Sequence, residues 1–223
     1  WWHGPPRPAK LLTSYAVKPA SASIARVRTN IARSTSSSFG AIHVTVASPA
    51  ALVGDSSVFT QNGPVSGRRW RLDAVYAFDQ DEGGALYTQY ELEMRQYLAV
   101  SQRSNLALRL YTGYAAGNQP IPLYFGGLDD LRGVDFRSMV GDRAFYTNLE
   151  YRFPLIDVLA TPVVSFRGVR GRVFLDVGGA WFDIYGQDFD FWNSEEGRLE
   201  DAVSSYGFGV TINLMGIDLN WDF

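Results

Sequence analysis

The stretch RAFYTNLEYRFPL, residues 143–155, decides the fold class. Phe145, Leu149, Tyr151 and Phe153 fall on one side of an extended chain, while Asn148, Glu150 and Arg152 fall on the other. Successive side chains alternate between faces in a strand, so a period of two marks a strand with one apolar and one polar face.

The same period recurs on both sides of this stretch. In RRWRLDAVYAFD (68–79), Trp70, Leu72, Ala74, Tyr76 and Phe78 alternate with Arg69, Arg71, Asp73 and Asp79. LYTQYELEMRQYL (86–98) sets Leu86, Thr88, Tyr90, Leu92 and Met94 against Gln89, Glu91, Glu93 and Arg95. NLALRLYTGY (105–114) places Leu106, Leu108, Leu110 and Tyr114 opposite Arg109. In GRVFLDVGGAWF (171–182), Val173, Leu175, Val177 and Trp181 oppose Asp176. YGFGVTINLMGIDLNWDF (206–223) reads as a hairpin turning near Met215-Gly216, with Asn213, Asp218, Asn220 and Asp222 on its polar face. No helical period appears among these segments.

Residues 1–66 differ. WWHGPPRP (1–8) is proline-rich and RVRTNIARSTSSS (26–38) is basic and serine-rich. Only FGAIHVTVAS (39–48) alternates, through Ile42, Val44 and Val46. The expected organisation is a poorly patterned segment over 1–66, with at most one or two strands, and a β-barrel region over 67–223.

Composition narrows the class further. The chain has 223 residues, no cysteine and a net charge of -3, so disulfides and thiolate metal sites are excluded and nucleic acid is not an indicated partner. No apolar run reaches the roughly 18 residues of a membrane-spanning helix. The predicted strands run about 8 to 14 residues, longer than the five or six common in soluble sandwiches. Transmembrane barrel strands need about 9 to 11 residues with one apolar and one polar face. Periodicity alone leaves open which face points inward. Strand length, the 14% aromatic content and the repeatedly charged face favour a membrane barrel over a soluble one.

Between two predicted strands lies LYFGGLDDLRGVDF (123–136). Taken with GDRAFYTNLEYRFPL (141–155) and GVRGRVFLDVGGAWF (168–182), it resembles the C-terminal barrel of the bacterial surface-antigen superfamily. Members include the central subunit of the outer-membrane barrel-assembly machinery and the transporters of two-partner secretion. The resemblance rests on a glycine pair followed by Arg-Gly, then a strand with an inward glutamate, then F-x-D-x-G. It implies an all-β fold, an antiparallel transmembrane β-barrel, of which this chain is the C-terminal part of a larger, sixteen-stranded whole. By the same resemblance, Phe208–Phe223 is the penultimate part of that barrel, with a closing strand still to follow.

The resemblance further implies that the Arg-Gly loop folds back into the barrel lumen, where its arginine pairs with acidic residues of the wall. Carried over by motif, the loop residues are Gly126, Gly127, Arg132, Gly133 and Phe136. Asp176 is the expected partner of Arg132 and Glu150 the second candidate. Both carboxylates fall on the polar side of their strands, and a guanidinium can grip a carboxylate with two parallel hydrogen bonds. One position departs from the family pattern. Val134 stands where an aromatic follows Arg-Gly, and Phe136 comes two residues later.

An enzyme is not indicated. The only histidines are His3 and His43, and no serine elbow, His-carboxylate metal spacing or phosphate-cradling glycine loop is present. The expectation is no catalytic residue, no metal and no cofactor. Function is expected in outer-membrane protein assembly or polypeptide secretion, in the bacterial outer membrane. The expected partners are outer-membrane lipid and unfolded outer-membrane or secreted polypeptide clients, without nucleic acid. The rival reading is a passive pore or membrane anchor of a larger multidomain protein, with a soluble ligand-binding barrel behind both.

Overall fold

The computed structural model describes residues 26–29, 32–38, 41–60, 63–79, 85–160, 165–214 and 217–223. Its principal strands are β1 (Arg26–Thr29), β2 (Ala32–Ser38), β3 (Ala41–Asp55), β4 (Val58–Thr60), β5 (Gly63–Asp79), β6 (Ala85–Ala99) and β7 (Asn105–Gly117). After the short β8 (Leu123–Phe125) and β9 (Met139–Gly141) come β10 (Arg143–Ala160) and β11 (Ser165–Trp181). A 3-10 turn (Asp183–Tyr185) and the small ribbon β12 (Trp192–Asn193) with β13 (Arg198–Leu199) lead to β14 (Val203–Leu214) and β15 (Ile217–Asp222).

One antiparallel sheet holds eleven of these strands, with the path β1-β3-β5-β6-β7-β10-β11-β14-β15, β2 on β3 and β4 on β5. Among the described residues this path does not close on itself. From β5 onward each long strand pairs with the next long strand in the chain, as expected where antiparallel strands follow one another. The turn at residues 215–216 lies outside the described residues, and the flanking pair Leu214↔Ile217 fixes the predicted hairpin.

The segment before residue 67 carries β1 to β4 and the start of β5. Serine and threonine tolerate extended backbone, and ladder bonds to β3 order RVRT and ARSTSSS without an apolar alternation to announce them. The long strands exceed the predicted length, with 17 residues in β5, 18 in β10 and 17 in β11. β10 continues past Pro154 by a shift in register between Pro154 and Ile156, where the missing proline N–H interrupts the ladder.

The two faces differ sharply. Tyr90, Leu110, Leu149, Leu175, Phe208 and Trp221 on the apolar face are 38–55% exposed. The buried apolar cluster lies on the other side of the sheet: Leu123, Phe125 and Leu131 from the β7–β10 connection pack on Ala144 and Tyr146 of β10. The long connections, 118–142 and 182–202, leave from one end of the sheet, and the short connection 100–104 from the other.

Candidate functional site

The connection between β7 and β10 turns back over the polar face. β8 and β9 pair into a short ribbon, and a bridge between Gly127 and Leu131 tightens its tip. Gly126 has φ +123°, and a Cβ there would lie 2.6 Å from the Asp135 carbonyl oxygen, so the tip requires glycine on both counts. Gly133, at φ +80°, passes over β14 with room for no more than contact against Ser205.

Register builds the floor beneath this tip. Arg109, Asn148 and Asp176 lie side by side across β7, β10 and β11, and the next row brings Ala107, Glu150 and Phe174 together. Leu131 is fully buried in the apolar cluster, which carries the next residue, Arg132, down to the wall. Arg132 Nε donates to Asp176 Oδ2 at 2.6 Å and Nη2 to Asp176 Oδ1 at 2.7 Å. Its Nη1 donates to Glu150 Oε1 at 2.6 Å, and its backbone N–H to Asp176 Oδ2 at 3.3 Å. The guanidinium lies 3.8 Å above the centre of the Phe174 ring. Arg132 is 6% exposed and Asp176 is fully buried. Burial opposes the charge on Arg132, but the Asp176 hydrogen bonds and the Glu150 charge outweigh it and hold the guanidinium pKa above its ordinary value. Arg132 is therefore a permanent cation.

Asp176 and Glu150, the two carboxylates singled out in the sequence, thus both meet Arg132. Phe136 does not join them. It is 80% exposed, beside Gly127, while Leu131 and Val134 supply the apolar packing of the loop. The ribbon already fills the space under the tip, so no aromatic is needed directly after Arg-Gly.

Several contacts were not read from the sequence. Arg109 donates from Nε to Glu93 Oε1 at 2.7 Å and from Nη1 to the Asp129 carbonyl oxygen. Asn148 Nδ2 donates to the Asp130 carbonyl oxygen at 2.6 Å, and the Tyr146 hydroxyl to the Asp130 carboxylate at 3.1 Å. At the far end of the connection, Asp142 is buried and accepts the backbone N–H groups of Asp183 and Ile184 at 2.9 and 2.8 Å. The only sequence signal for these was their place on a polar face or beside a strand end. Phe174 was visible as the first letter of F-x-D-x-G.

Chemically, this arrangement positions rather than reacts. Both Asp176 oxygens are engaged by one guanidinium, and neither is open to a reacting group. Among the described residues no group of three or more His, Cys, Asp or Glu could hold a metal ion.

A family model, the Omp85 superfamily domain, matches residues 60–215, well over half of the chain. The chain belongs to the Omp85 superfamily. A search of curated proteins gave no match. The matched span contains the Arg132 loop and the strands β5 to β11 that surround it. Omp85 superfamily proteins are bacterial outer-membrane proteins that assemble or transport polypeptides, and they are transporters and assembly factors rather than enzymes.

Proposed function

We propose that this chain forms part of an outer-membrane β-barrel that helps polypeptides insert into or cross the membrane, with the Arg132 loop folded into the lumen. The observation that carries this reading is the sidedness of the sheet. Large apolar side chains stand exposed along one face, while the charged face is covered by a loop held through a buried ion pair. A soluble barrel would bury the apolar face, whereas a membrane barrel turns it to lipid. Among the described residues the sheet is unpaired along β1 and β2 and along β15, and since lipid cannot satisfy an unpaired strand edge, this supports reading it as an arc of a larger, sixteen-stranded barrel.

In this mechanism the loop is a fixture of the lumen, pinned at Arg132, that shapes the path of an unfolded client without covalent chemistry. The test is Arg132→Ala in cells, with barrel abundance and client delivery scored together. Because the change also strands the buried Asp176 carboxylate, abundance is expected to drop, and delivery per folded barrel is expected to fall further. Unchanged delivery would remove the active role and leave the passive pore or anchor. Detergent-dependent solubility and heat-modifiable gel migration test the membrane assignment itself.

A further inference from the structure

A cavity of about 550 Å3 opens between the loop tip and the sheet wall, beside the Arg132–Glu150 pair. Its two sides differ chemically. The wall side carries Arg95, Arg109, Arg152 and Arg172 against the carboxylates Glu150 and Asp222, and the loop side carries Leu128, Asp129 and Arg132.

The four arginines are not equivalent. Arg109 is spent on Glu93 and the loop, and Arg172 Nε donates to Asp222 Oδ1 at 2.8 Å. Arg95 and Arg152 project further, with side chains 37% and 34% exposed against 25% and 12% for their carboxylates, Glu93 and Glu150. Each of those carboxylates is shared with a second arginine, Glu93 with Arg109 and Glu150 with Arg132. At these two pairs the guanidinium therefore stands further into the cavity than its carboxylate. Each guanidinium has five N–H donors, more than one shared carboxylate can occupy. On the opposite side Leu128 is 76% exposed, an apolar side chain held out over a polar basin. Asp129 beside it turns an anion away from the loop and toward the wall.

We propose that this cavity binds a stretch of extended polypeptide in which acidic and apolar residues alternate, carboxylates toward Arg95 and Arg152 and apolar side chains toward Leu128. An extended strand shows different residues on its two faces, which is the sidedness of the cavity. The inference rests on the reading of this chain as a barrel that handles unfolded polypeptide, and it names the class of segment held.

The test uses the full chain in detergent micelles and two fluorescent peptides, one alternating leucine with glutamate and one alternating leucine with glutamine. Fluorescence anisotropy is expected to show the glutamate peptide binding at least about tenfold more tightly, the effect of one charge-assisted hydrogen bond. Added salt should narrow that advantage. The double substitution Arg95→Gln with Arg152→Gln should abolish it. That variant leaves Glu93 on Arg109 and Glu150 on Arg132, so no buried carboxylate is stranded. Leu128→Ala should weaken both peptides alike. Should the double variant lose its heat-modifiable fold, Arg95→Lys with Arg152→Lys keeps the charges, removes the forked donors and must still narrow the advantage. Equal binding of the two peptides overturns the inference, as does an advantage that survives these substitutions. Client delivery in Arg132→Ala cells is a separate readout, so equal peptide binding beside impaired delivery sinks this inference and spares the export reading.

Discussion

The Arg132 guanidinium sits over the Phe174 ring, 3.8 Å from its centre, while its edges are held by Asp176 and Glu150. The cation is thus satisfied in its plane by carboxylates and on one face by a ring. A ring under a desolvated cation contributes about 2 kcal/mol. Phe174→Leu should therefore loosen the loop without touching the ion pair, and Phe174→Tyr should keep it in place. Limited trypsin digestion at Arg132 and Arg137 reads the difference. Equal protection in both variants would show the ring to be inert.

The two carboxylates should not be interchangeable. Asp176 is fully buried and takes two hydrogen bonds from the guanidinium, whereas Glu150 takes one and divides itself with Arg152. Removing one partner of a buried pair costs about 3–5 kcal/mol, because the other charge is left uncompensated. Asp176→Asn should approach that figure. Glu150→Gln should cost clearly less, since Arg132 retains Asp176. The midpoint of heat-modifiable migration measures both, and a larger loss in Glu150→Gln would contradict the assigned roles.

The two faces were legible because they follow from a period of two, whereas Asp176 and Glu150 were marked as partners of Arg132 by the family motif, with alternation only setting both on the polar side. Asn148, Glu150 and Arg152 alternate with Leu149, Tyr151 and Phe153, so a polar wall could be drawn before any register was known. What alternation cannot supply is which strands lie side by side. Arg109 reaches the loop because the β7–β10 register sets it beside Asn148. Tyr111 and Tyr146 stack at 4.6 Å for the same reason. Phe136, two positions beyond the family's aromatic, stands exposed, and the apolar packing falls to Leu131, which no motif marked.

Asp142 is expected to hold two connections together. Its carboxylate accepts the N–H groups of Asp183 and Ile184, while Arg143 Nη2 donates to Asp183 Oδ2 at 2.7 Å. A hydrogen bond to a charged group contributes about 1.5–3 kcal/mol. Asp142→Ala should therefore speed hydrogen exchange at residues 183 and 184 by at least tenfold, the effect of about 1.4 kcal/mol in local opening. The Arg132–Asp176 contact does not pass through Asp142, so loop protection near Arg132 should hold.

The last expectation concerns the outward face. Leu175 neighbours Leu149 across the β10–β11 ladder, and both are exposed. If this face meets lipid, Leu175→Arg must desolvate a charge, at a cost of about 2–4 kcal/mol near the membrane midplane. Gln89 is on the opposite face and already donates to Glu91 at 2.6 Å, so Gln89→Arg gains a carboxylate partner in a polar setting. Folding into lipid vesicles, scored by heat-modifiable migration, should fall sharply for Leu175→Arg and hold for Gln89→Arg. Equal tolerance would mean that the apolar face does not meet lipid, and the membrane reading would fall with it.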